Sequence, residues 1–160
     1  MDDSKIETFE NWKDFYKEFN NESPRGAVLI AAAFLDTQLQ KLLESNFIND
    51  KSAIKRIFDN ERNGSLSTSY AKIQTAYCLG LINKVIHDDL NVIRKIRNKF
   101  AHEMFGFNFE NLEIVKLCEN LNTGKIPFDH IAKTPENIFK ISTAILMYDL
   151  AIRIRKSKNK

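Results

Sequence analysis

The sequence predicts an all-α, single-domain bundle of six to seven helices, and three observations carry this. Apolar residues recur at three- and four-residue intervals in segment after segment, the spacing of one helix face. No stretch alternates apolar and polar residues as a half-buried strand does. The 160-residue chain holds only five Gly and three Pro, too few for a loop-rich fold or a long interdomain linker. Its 43% hydrophobic content, with twelve Phe, is enough for one sizeable core.

Each element follows from local signals. Ser4 with Glu7 forms a capping box ahead of Phe9, Trp12, Tyr16 and Phe19, a helical stripe that ends near Asn20-Asn21. Ser23-Pro24 reads as an N-cap followed by proline at the first helical position, opening a helix that runs to about Phe47. That helix carries Val28, Ala31, Ala32, Leu35, Leu39, Leu42 and Leu43, and its alanines permit close packing, so it is the expected central helix. Asp50 caps a short helix bearing Ile54, Ile57 and Phe58, and residues 60–65 form a polar loop. Ser65 or Ser67 starts the next helix, with Tyr70, Ile73 and Tyr77 on one face and Gly80 as its stop. Asn83 caps a helix to Ala101 that buries Val85, Ile86, Leu90, Ile93, Ile96 and Phe100. Gly106-Phe107-Asn108 breaks the pattern, and another helix runs from about Glu110 to Leu121, ending at Asn122-Thr123-Gly124. A loop holds Pro127. Thr134-Pro135-Glu136 then opens the last helix, with Ile138, Ile141, Ile145, Tyr148 and Ile152 as its apolar positions.

Composition narrows the function classes. The longest apolar run, residues 27–35, falls short of the roughly 20 residues that span a bilayer. The acidic start Met1-Asp2-Asp3-Ser4 does not read as a signal peptide, so a cytoplasmic protein with no membrane contact is expected. Cys78 and Cys118 fall inside helical patterns without ligand spacing, which reads as two ordinary buried thiols. No cofactor or metal is expected. The net charge of +3 is concentrated in a basic tail at 153–160, which holds Arg153, Arg155, Lys156, Lys158 and Lys160; without these five the remainder stands at −2. The body is therefore not basic in the manner of a nucleic-acid-binding domain, and the tail reads as a solvated helix end or as a contact for an acidic partner or RNA.

The densest chemical signal is Arg97-Asn98-Lys99-Phe100-Ala101-His102, in a chain with three histidines. Arginine holds a phosphate through a planar fork of donors, and histidine moves a proton near neutral pH. Arg97, Asn98 and His102 are thus candidate catalytic residues for RNA cleavage. Five residues of helix separate Arg97 from His102 by about 140°, so convergence on one phosphate calls for a helix end or a second chain. The same residues also suit a structural role: histidine stabilises a helix C-terminus, and Arg97 can pair with Asp89, Glu103 or another carboxylate. Ala76, Gly80 and Ile86 have the spacing of a helix-turn-helix, but the expected recognition helix would carry Asp88 and Asp89 on its exposed first turns. Those carboxylates repel phosphates, so direct DNA binding is not expected.

Arg97 to His102 resembles the motif of the HEPN (higher eukaryotes and prokaryotes nucleotide-binding) superfamily of helical, usually dimeric domains, many of them metal-independent RNases. That resemblance implies His102 as proton carrier, Arg97 as stabiliser of the phosphorane charge, and Asn98 as an orienting group. A broader set of residues resembles the mannitol operon repressor (MtlR/MltR) family: residues 25–35, Gly64-Ser65-Leu66, Ser69, Lys72-Ile73, Tyr77, residues 79–82, Asp89-Leu90, Arg97 and His102. It covers roughly residues 16–102. It implies an all-helical fold without a conventional DNA-binding domain, hence a regulator of transcription that works through a protein partner. The chain departs from the longer family pattern in lacking extended termini, and Asn98 stands closer to the nuclease motif. The expectation is a homodimeric regulator acting through protein contacts. The alternative is a HEPN endoribonuclease of toxin or phage-defence type, with RNA as substrate and an antitoxin as partner.

Overall fold

A computed structural model of the chain describes residues 9–103, 105–126 and 129–158. Seven α-helices make up the described residues, with no strand among them: α1 Phe9–Asn21, α2 Pro24–Glu44, α3 Lys51–Phe58, α4 Ser69–Cys78, α5 Lys84–His102, α6 Leu112–Glu119 and α7 Pro135–Lys158. A 3-10 turn, Thr123–Lys125, joins α6 towards α7. Ser4, Glu7 and Pro127 lie outside the described residues.

The helix starts are set by side-chain caps. Ser23 accepts from the Gly26 N–H with Pro24 next in line, Asp50 accepts from Ala53, and Asn83 accepts from Ile86. The cap of α4 is Thr68, bonded to Ala71 at 3.1 Å, rather than Ser65 or Ser67. The N–H groups of Gly80 and Leu81 return to the carbonyls of Tyr77 and Ala76, each at 2.9 Å, closing α4 as a Schellman motif. Gly80 adopts φ 68°, which a residue without Cβ takes at no steric cost. The long helix α2 stops at Glu44, three residues before Phe47, where Ser45 folds its N–H back onto Lys41.

Helix α2 is the centre of the bundle, packed against α1, α4, α5 and α7. An 18-residue window of this 21-residue helix has a mean hydropathy of 1.2, long and apolar enough to cross a membrane by composition alone. Here Ala27, Val28, Ala31, Leu35, Leu39, Leu42 and Leu43 instead enter a core shared with Ile93, Ile96, Phe100, Phe139, Leu146 and Leu150. Phe100, Phe109 and Phe139 form a chain of rings with centroids 5.4 Å apart at each step.

Several expected faces are rotated. Tyr70, Tyr77 and Val85 are exposed, while Ile73, Ala76, Ile82 and Ile86 around them are buried. On α7 the buried line is Phe139, Ser142, Thr143, Leu146, Met147, Leu150 and Ile154, while Ile138, Ile141, Ile145 and Ile152 are half-buried and Tyr148 is 68% exposed. Helix α7 is apolar around most of its circumference, so spacing alone picks the wrong stripe. The reason lies at Gly124. A Cβ there would stand 2.4 Å from Ser142 Oγ and 2.6 Å from the Ile138 carbonyl. The 3-10 turn thus presses its backbone onto α7, and small Ser142 faces it.

Two charged groups are also placed differently from expectation. Asp89 is fully buried rather than exposed. It accepts from the N–H groups of Asn122 and Thr123 at 2.8 Å each, from Asn122 Nδ2 at 3.0 Å and from Thr123 Oγ1 at 2.6 Å. Four donors satisfy the carboxylate and clamp the 3-10 turn onto α5. Arg153 is no part of a free tail: it pairs with Asp149 and donates to the Leu81 carbonyl at 2.9 Å, tying α7 to the α4–α5 corner. Helix continues to Lys158, with Arg155, Lys156 and Lys158 in its last turn.

Candidate functional site

Helix α5 carries the polar residues singled out in the sequence, and its two ends treat them differently. Near its start, Lys84 pairs with Asp88, and His87 Nδ1 lies 2.8 Å from the same carboxylate. Those two contacts, Lys84 first, hold the Asp88 carboxyl below its usual range. His87 is half-buried: its side chain is 13% accessible, its ring lies tilted beside Tyr77 with centroids 4.5 Å apart, and it meets Gln74 Nε2 at 3.0 Å.

Towards the C-terminus, Arg94, Arg97 and Asn98 share one face at the i, i+3, i+4 spacing. They line a groove of about 610 Å³ between α2, α4 and α5. Leu29, Ala32, Ala33, Leu90 and Ile93 supply an apolar wall, and Thr68, Ser69 and Tyr70 supply the start of α4. The Arg94 guanidinium sits 5.2 Å from the Tyr70 ring centroid, while its Nε is buried without a hydrogen-bond partner. Arg97 is exposed and donates from Nη1 to Asn98 Oδ1 at 3.3 Å. Neither arginine has a carboxylate partner among the described residues, so Arg97 pairs with neither Asp89 nor Glu103. The groove's carboxylate, Asp36, is already engaged: Lys72 Nζ and Ser69 Oγ each donate to it at 2.6 Å.

The structure therefore brings Arg97 and Asn98 together and leaves His102 apart. His102 is the last residue of α5, exposed and outside the groove lining. Glu103 closes the helix with its N–H on Lys99, and the Arg25 guanidinium reaches the Glu103 carbonyl. Beside it, Lys99 Nζ meets Glu113 at 2.7 Å on the surface, raising the lysine and lowering the carboxyl from their ordinary values. Arg94 and Tyr70 are the groove residues that sequence reasoning missed. For Arg94 the available signal was its place on the same i, i+3, i+4 face of α5 as Arg97 and Asn98.

Among the described residues, no three His, Cys, Asp or Glu side chains converge as metal ligands. The thiols differ from expectation in one respect: Cys118 is buried but Cys78 is exposed. Burial pushes the Cys118 thiol up to about 12.

Fold and site together define an all-helical protein whose helix-turn-helix-like corner lacks a basic reading face. A family model described as "Mannitol repressor" matches residues 14–153, and the chain belongs to the mannitol repressor family. The chain is similar in fold to a solved structure described as the X-ray structure of the MtlR-HPr complex from Escherichia coli. The two share 17% identity over 91% of this chain and 97% of that one, with a TM-score of 0.63. No curated protein matches the sequence.

Proposed function

We propose that this protein regulates transcription in the cytoplasm by binding a protein partner, rather than by reading DNA itself. Membership of the mannitol repressor family supports a regulatory role. The observation that carries the choice of mechanism is the α4–α5 corner. A recognition helix needs unpaired donors or cations on its first turns. Helix α5 offers Val85, and a Lys84 whose charge is committed to Asp88. The exposed apolar side chains there, Tyr77, Leu79 and Val85, suit protein contact instead.

The solved relative in fold is an MtlR–HPr complex, so HPr is the partner class to test first. Calorimetric titration of the purified chain with HPr of its own source organism is expected to give saturable binding at micromolar concentrations. Absence of heat with properly folded proteins would overturn that partner. Retardation of promoter DNA by the chain alone would overturn the mechanism.

A second reading rests on the Arg97–Asn98 pair, whose guanidinium is free of carboxylates. With His102 outside the groove, RNA cleavage would need a homodimer that supplies His102 from the second copy, with an antitoxin as the natural partner. RNA incubated in EDTA with wild type, Arg97→Ala and His102→Ala tests this. Cleavage lost in both variants supports the composite site, and no cleavage by wild type removes it.

A further inference from the structure

We propose that the groove between α2, α4 and α5 binds a small organic anion, its acidic head on Arg94 and Arg97 and its apolar body along the alanine wall of α2. This does not depend on the protein-partner reading.

Two arginines three residues apart on one helix repel each other, and proteins ordinarily offset such a pair with a carboxylate. Here the lining carboxylate, Asp36, is occupied by Lys72 and Ser69, so both guanidinium charges stay uncompensated. Arg94 is nevertheless held in place. Its guanidinium lies over the Tyr70 ring, and its buried Nε has nothing to donate to. Neither guanidinium meets a carboxylate among the described residues, and such forks hold carboxylate, phosphate or sulfonate through paired N–H groups.

Shape sets the rest of the ligand. A groove of about 610 Å³ lies within the range of roughly 300–1,000 Å³ typical of small-molecule sites. Such sites are apolar with a few placed polar groups, and this one pairs Leu29, Ala32, Ala33 and Ile93 with the two arginines and Asn98. The short side chains of Ala32 and Ala33 leave room on α2 for an apolar body. Asn98 accepts from Arg97, which fixes the direction of the second guanidinium.

Two fluorescent dyes with nearly the same aromatic body separate head from body: anilinonaphthalene sulfonate, which is anionic, and N-phenylnaphthylamine, which is neutral. Wild type is expected to bind the sulfonate saturably and at least tenfold more tightly than the neutral dye. Arg94→Gln and Arg97→Gln are each expected to weaken the sulfonate about tenfold while leaving the neutral dye unchanged. Ala33→Trp, at an exposed position on the wall, is expected to weaken both. Equal affinity for the two dyes would overturn the proposal, as would sulfonate binding that neither arginine substitution moves. Should Arg94→Gln not fold by circular dichroism, Arg97→Gln and Ala33→Trp decide, since both replace exposed residues. HPr titration of the same variants keeps the two ideas apart: loss of dye binding with partner binding intact bears on the groove alone.

Discussion

Asp89 and Arg94 stand five residues apart on one helix, and their surroundings are opposite. Asp89 is fully buried and receives four hydrogen bonds, all from Asn122 and Thr123. Arg94 is half-buried, its Nε meets no acceptor among the described residues, and Arg97, another cation, lines the same groove. A charged group whose capacity is saturated from within the chain is spent on structure. One left unsaturated at the edge of a groove costs stability in the free protein and is available to a ligand. On α5, Asp89 therefore serves the fold, while Arg94, Arg97 and Asn98 face the groove beside the core residues Ile93, Ile96 and Phe100.

The comparison breaks first at Asp89. Replacing it by Ala orphans two backbone N–H groups and two side-chain donors, and is expected to cost about 3 kcal/mol or more by urea titration. A loss under about 1 kcal/mol would mean that the clamp is not what holds the 3-10 turn.

Gly124→Ala strikes the same clamp from the other side, because the new Cβ would overlap Ser142 Oγ and the Ile138 carbonyl. About 2 kcal/mol of destabilisation is expected, and Ser142→Gly in the same chain should recover part of it.

Thiol chemistry gives a third contrast between closed and open regions. Thiolate is the nucleophile, and Cys118 stays protonated up to about 12. At pH 8, iodoacetamide should modify exposed Cys78 at least tenfold faster than Cys118, as mass spectrometry of timed digests would show. The Cys118 pKa lies above its ordinary value of 9.0, so its stabilising contribution is complete below that pH and is lost as pH rises towards 12. Alkaline unfolding should begin in that window and move upwards in Cys118→Ala if the replacement is otherwise tolerated.

The smallest effects sharpen the comparison most. Arg97→Gln should change stability by no more than about 0.5 kcal/mol, as expected of a surface position. Arg94→Leu removes the orphaned donor along with its charge and should be close to neutral. A large loss at either arginine would place it with Asp89 as a structural group and leave the groove without an assigned head site.

Much of the architecture was legible because caps and breakers are local. Ser23-Pro24, Asp50, Asn83 and Gly80 mark helix ends through bonds spanning a few residues. The misplacements fall where long-range packing decides. Thr68 outcompetes Ser65 and Ser67 as a cap because the chain from Gly64 to Ser67 is turned back onto α3, with the Leu66 N–H on the Ile57 carbonyl at 2.7 Å. Tyr70 and Tyr77 belong to an apolar spacing yet face outward, and Asp89 belongs to a polar pair yet faces inward. A short pattern cannot tell an exposed carboxylate from one waiting for a turn 33 residues away.

By itself the sequence determined an all-helical chain, the starts of α2, α3, α5 and α7, the family resemblance, and Arg97 with Asn98 as neighbours on one helix face, since each depends on spacing along one element. Only the tertiary structure decided that Asp89 is consumed by the 3-10 turn, that Arg94 and Tyr70 join the groove, and that His102 does not. The physical reason is that saturation of a polar group is settled by partners on other elements. Whether a charge serves the fold or remains available to a ligand is written in distances that no single helix contains.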